Sequence, residues 1–157
     1  MPEMVFVPMT WDAAVDLRSG TTADYRGCAA TSTLVDSMEA GTLIEEAEYA
    51  ALNYAGVLAL VLNPGSPRLV VAAKVQPGQV RDLGEPLGEV EVRGLAWTQV
   101  RALFAEESAA IEAAGRVGEV VAGQSLAAAL AEPEVGEMLD RYDLLWFAPE
   151  ELDQLQR

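Results

Sequence analysis

Leu69-Val-Val-Ala-Ala-Lys-Val75 restricts the fold more than any other segment. A half-buried strand alternates apolar and polar residues, because successive side chains point to opposite faces. Here both sets of alternate positions are apolar until Lys74. Such a run reads as a central strand covered on both faces. The chain must therefore supply a sheet, neighbours on each side of this strand, and elements to cover both surfaces. Gln76-Pro77-Gly78 ends the run in a turn.

The element before it is a long helix. Ile44, Ala47, Ala51, Leu58 and Leu62 fall on one helical face, with Ala55 or Tyr54 completing it. Beyond Ala50 the segment is apolar nearly all round, so its second half belongs inside. Thr42 followed by Glu45 has the T-x-x-E spacing of a capping box at the helix start. Asn63-Pro-Gly-Ser-Pro67 ends the helix.

Shorter elements surround this pair. Met4–Pro8 reads as a strand closed by proline, and Thr10 as the cap of a helix running to Ser19-Gly20. Tyr25–Ala30 is extended, and Thr31 caps a helix through Leu34, Val35 and Met38 to Gly41. Glu89-Val-Glu-Val-Arg93 alternates strictly, as a half-buried strand does. Trp97–Val100 reads as a helical turn, Arg101–Glu106 as a continuation of that helix or, preferred, another strand, and Glu107–Ala114 and Ser125–Ala131 as helices. Asp143–Phe147 reads as a last strand, and Pro149 opens a short helix. Strands and helices interleave without strict alternation, which predicts an α+β domain: a mixed β-sheet with helices packed against it. With 157 residues, 51% of them apolar, the chain fits a single globular domain (1–157) with a substantial core.

Val5-Phe-Val-Pro8, Ile44-Glu-Glu-Ala-Glu-Tyr-Ala-Ala-Leu52, Arg68-Leu-Val-Val-Ala-Ala73 and Asp143-Leu-Leu-Trp-Phe-Ala-Pro-Glu150 resemble segments of an uncharacterised family of small acidic actinobacterial proteins, a domain of unknown function. The resemblance spans nearly the whole chain. It implies no activity and carries no catalytic residues.

Charge and missing residue types narrow the function. The net charge is −15, with eight acids and one base, Arg141, between Glu132 and Asp153. A phosphate backbone or an anionic membrane would be repelled, and a basic protein or peptide attracted. There is no histidine, one cysteine and one lysine. The start of the chain lacks a basic stretch followed by an apolar one, and the longest apolar run is too short to span a bilayer, so a cytoplasmic location is expected.

Four constellations bear on chemistry. Glu45 and Glu48, with Tyr49, share a helix face and are the metal-ligand candidates, since paired carboxylates can hold a divalent cation if Asp12, Asp16 or Asp36 adds oxygens. Acids in a first helical turn also complement the helix dipole, and this is the simpler reading. Gly123-Gln-Ser-Leu-Ala127 approaches the G-x-S-x-G nucleophile elbow, but without histidine Ser125 reads as a helix-start residue. Cys28, two residues from Arg26, reads as a small buried hydrophobe rather than a nucleophile. Tyr142-Asp-Leu-Leu-Trp-Phe147 with Glu150 and Glu151 is simplest as a core strand, or else a docking surface with aromatic anchors among acids. Trp11 and Trp97 read as packing residues. No cofactor is implied. The residues favour a non-enzymatic binding or regulatory module with a protein partner or a second copy of itself, a homodimer. The alternative is a hydrolase using a carboxylate-bound divalent cation.

Overall fold

The computed structural model describes residues 3–155. Seven strands form one sheet: β1 (Met4–Pro8), β2 (Ala23–Cys28), β3 (Leu69–Lys74), β4 (Val80–Asp82), β5 (Glu89–Leu95), β6 (Val100–Ala105) and β7 (Leu145–Phe147), in the spatial order β4-β5-β2-β1-β3-β6-β7. The helices are α1 (Trp11–Arg18), α2 (Ser32–Ser37), α3 (Ile44–Leu62), α4 (Ile111–Val121), α5 (Leu126–Leu130) and α6 (Pro133–Arg141). The class is α+β. The sheet itself differs from the mixed one expected: all six strand pairings are antiparallel. Interleaved helices suggest parallel neighbours, but α1 and the α4–α6 group connect strands that pair antiparallel, and α2 and α3 carry the chain from β2 to β3 across the antiparallel β1 between them.

β3 has β1 on one side and β6 on the other, and Leu69 to Ala73 are all buried. Its two sets of alternate residues enter two separate cores. Val70 and Ala72 join Phe6, Cys28 and the inner face of α3, with Leu34 of α2, Val117 of α4, Leu126 of α5 and Met138 of α6. Leu69, Val71 and Ala73 join Val5, Val7, Val90 and Val92, beneath Leu17 of α1 and Leu152 and Leu155 near the chain's end. The apolar run is thus a strand sandwiched between two layers.

The sheet cannot be flat. β3 and β4 are four positions apart, and so are β5 and β6. At about 4.8 Å per strand spacing this is roughly 19 Å. Only 75–79 and 96–99 link them, and each link contains a 3₁₀ turn, Pro77–Gln79 or Trp97–Gln99, that shortens its reach. An extended chain covers at most about 3.5 Å per residue. The sheet must curl so that its ends approach, and the two links meet. Gln99 Nε2 donates to Gln79 Oε1 at 2.6 Å, and Gln79 Nε2 to Gln99 Oε1 at 3.2 Å. Each glutamine also accepts from the backbone N–H three residues earlier, at Gln76 and Ala96.

Several expected caps are present. Thr10 Oγ1 accepts from Ala13 N–H, Thr31 Oγ1 from Leu34 N–H and Ser125 Oγ from Ala128 N–H. The capping box at Thr42 and Glu45 is not. The N-cap of α3 is Leu43, with no side-chain cap, and Thr42 Oγ1 donates instead to Glu39 C=O at 2.5 Å. A local turn at 39–42 takes the hydroxyl before the helix can use it. β6 replaces the helical alternative for 101–106, and 108–110 form a 3₁₀ turn that leads into α4. Two elements have no counterpart in the reading above: the short β4, and α6, whose start carries Pro133.

Candidate edge-strand docking surface

β7 is the last strand of the sheet, and among the described residues no strand pairs with its outer side. Its inner side pairs with β6, matching Leu145 to Ala105, Trp146 to Phe104 and Phe147 to Leu103. Alternation splits its side chains. Phe147 packs against the core beneath α1, while Trp146 stands beside Phe104, which leans on the core beneath α3. Both apolar side chains nearest the open end are uncovered: Leu145 is 41% exposed and Trp146 61%. The core-strand reading of Tyr142–Phe147 therefore fits only its flanks. Tyr142 and Leu144 pack against the core, and Phe147 does so on the other face.

The segment is fixed at both ends. In front, Arg68 and Glu106 form a buried ion pair, each 2% exposed. Arg68 Nε donates to Glu106 Oε2 at 2.9 Å, Nη2 to Oε1 at 2.7 Å, and the Arg68 backbone N–H to Oε2 at 3.1 Å. The same Nη2 donates to Tyr142 C=O at 3.1 Å, which ties the approach to β7 to the start of β3. Gly56 of α3 leaves room for this: a side chain there would meet Leu144 Cδ1 at 3.3 Å and Arg68 Nη1 at 3.7 Å. Behind β7, Ala148 N–H donates to Glu151 Oε1 at 2.9 Å, opening the 3₁₀ turn Pro149–Gln154. Trp11 Nε1 then donates to Leu152 C=O at 3.1 Å, and Arg18 pairs with Asp153 at 3.0 Å. A strand of three residues is held by what lies before and after it. Its outer ladder groups and two apolar side chains are left open, which is how an edge accepts a further strand.

Neither Arg68 nor Glu106 stands out in the sequence. Arg68 follows a proline-rich turn, and Glu106 ends an apolar strand. The weak signal available was a single base before one apolar run and the acid pair Glu106-Glu107 after another, both runs having to be buried.

The sequence-derived metal candidates sit elsewhere. Glu45 is exposed and Glu48 half-buried in the first turns of α3, beside exposed Leu43, Ile44 and Tyr49. Among the described residues no group of three or more His, Cys, Asp or Glu side chains gathers where it could hold a metal ion, so Asp12, Asp16 and Asp36 do not complete a set with them. Ser125 is exposed and spends its oxygen as the cap of α5. Cys28 is fully buried, and burial, with the Glu89 carboxylate nearby, pushes its thiol up to about 12 despite Arg26. Arg26 Nη2 is held by Glu89 Oε1 at 2.9 Å. An open groove of about 350 Å³ lies between α4 and α6, with Val117, Val120 and Met138 as its apolar floor and Arg116, Arg141, Glu134 and Glu137 around it. No helix among the described residues is long and apolar enough to cross a membrane.

Neither the comparison with curated proteins nor that with solved structures gives a match. The family model DUF6912, described as a family of unknown function, matches residues 4–156, nearly the whole chain, and the chain therefore belongs to that family.

Proposed function

We propose that this protein is a non-enzymatic binding module that engages another polypeptide along the outer side of β7. The observation that carries the reading is Trp146, 61% exposed on an edge strand with no neighbour on its outer side among the described residues. A tryptophan left in water at an open edge forgoes the burial that large aromatic side chains usually find. A partner strand would cover it and satisfy the open ladder groups. The other edge strand, β4 (Val-Arg-Asp), offers a poor alternative: Val80 is buried, and Arg81 is paired with Glu91 at 2.6 Å.

Affinity purification from the native host tests the reading, with the unaltered chain and a Leu145→Ser/Trp146→Ser variant run in parallel. Both side chains are exposed, so the variant should fold normally. A polypeptide retained near stoichiometrically by the unaltered chain and lost from the variant is the expected result. Identical sets of retained proteins would remove β7 as the docking edge.

A further inference from the structure

We infer that the occupant of the β7 edge is an extended segment with an apolar centre and basic ends, rather than a second copy of this chain. The inference rests on the docking reading above and adds the chemistry of the partner. β7 covers only Leu145–Phe147, and exposed acids stand at both ends: Asp143 before it, Glu150 after it. Glu132 to Asp153 contains eight acids against the single base Arg141, and Arg141 lies over the Tyr142 ring, 5.9 Å from its centre. A strand laid along β7 would place its middle residue beside Trp146 and its ends near Asp143 and Glu150. Lysine or arginine at those ends would meet opposite charge, while acids would meet like charge on a molecule of net charge −15.

The same geometry disfavours self-pairing. In a two-fold antiparallel pairing about Trp146, position 143 of one chain faces position 149 of the other. Asp143 of each copy is thereby brought toward Glu150 of its mate. Two like-charged contacts, on top of the repulsion between two strongly acidic chains, oppose an interface only three ladder residues long.

The test uses the full chain and a fluorescein-labelled peptide, Lys-Thr-Val-Val-Val-Thr-Lys, followed by fluorescence anisotropy at low and high salt. A control peptide carries Glu at both ends. A second control is N-methylated at alternate residues, so that it cannot complete a ladder. The Lys-ended peptide should bind with a submillimolar Kd that weakens with salt. The Glu-ended and N-methylated peptides should bind at least about tenfold more weakly. Trp146→Ser should cost about tenfold. Asp143→Asn/Glu150→Gln should leave the fold intact and erase most of the difference between Lys-ended and Glu-ended peptides. All these residues are exposed, and a thermal melt of each variant checks folding.

The failures are separable. Equal binding of Lys-ended and Glu-ended peptides overturns the basic chemistry and leaves β7 docking in place. So does a chain that ignores both peptides but forms a dimer that Trp146→Ser dissociates, since the occupant is then a second copy. A monomeric chain that binds neither peptide at about 1 mM also overturns the inference. If Leu145→Ser/Trp146→Ser also retains every protein that the unaltered chain retains, the docking reading falls with it.

Discussion

At the level of single residues, Cys28 shows how burial settles reactivity. It faces Glu89 across the β2–β5 ladder and lies in the core beneath α3. Ionising the thiol would put a charge in an apolar layer beside a carboxylate, so its pKa is pushed up to about 12. A thiol reagent should label it slowly in the native protein at neutral pH and rapidly after denaturation. The same shift makes stability depend on pH. Between about 9 and about 12 the unfolded chain has lost the thiol proton and the folded chain keeps it. Stability is fully present below the lower value and lost as pH rises through the window, by about 1.4 kcal/mol per pH unit from this group. Urea midpoints for the unaltered chain and Cys28→Ala should converge as pH climbs from 9 toward 12, because only the former carries this loss. Parallel profiles would mean that the thiol ionises in place.

At the level of elements, the helix caps sort by whether a neighbouring turn competes for the hydroxyl. Thr10, Thr31 and Ser125 each accept from the N–H three residues on. Thr42 has the same apparent signature and is diverted to Glu39 C=O. Thr10→Ala and Thr31→Ala should therefore each cost about 1 kcal/mol in chemical denaturation. Thr42→Ala should change stability by less than about 0.5 kcal/mol. A cost at Thr42 equal to that at Thr31 would restore the capping box. Three of the four 3₁₀ turns among the described residues follow one pattern that the sequence does display: Gln79, Gln99 and Glu151 each take the N–H three residues before them, at Gln76, Ala96 and Ala148. Spacing exposes that local bond, whereas the Gln79–Gln99 clasp needs the sheet to curl first.

Across the whole molecule, the Arg68–Glu106 pair joins β3, the end of β6 and the start of the β7 segment at one buried point. Removing one partner leaves the other charged and dry, which costs far more than exchanging both for apolar groups. Glu106→Gln should lose about 3 kcal/mol of stability in urea unfolding. Amide hydrogen exchange should also rise at 142–147, since Arg68 Nη2 no longer holds its place at Tyr142 C=O. Arg68→Met/Glu106→Leu should recover most of the global loss while leaving 142–147 faster than in the unaltered chain. Unchanged exchange there in both variants would mean that the pair does not anchor β7.

Local patterns determined much of this protein. The two-sided apolar run at 69–73, the helix apolar all round after Ala50, the alternation of β5 and the threonine caps follow from side-chain periodicity and near-neighbour hydrogen bonds, which residues a few positions apart suffice to express. Pairing direction, strand order and the partners of isolated charges depend on residues far apart in sequence. Arg68 meets Glu106 across 38 positions, and Trp11 meets Leu152 across 141. The docking edge belongs to this second kind. Leu144, Leu145, Trp146 and Phe147 form a uniformly apolar stretch in sequence. Only the place of β7 at the end of the sheet half-buries the first and last of these and leaves the middle two largely in water.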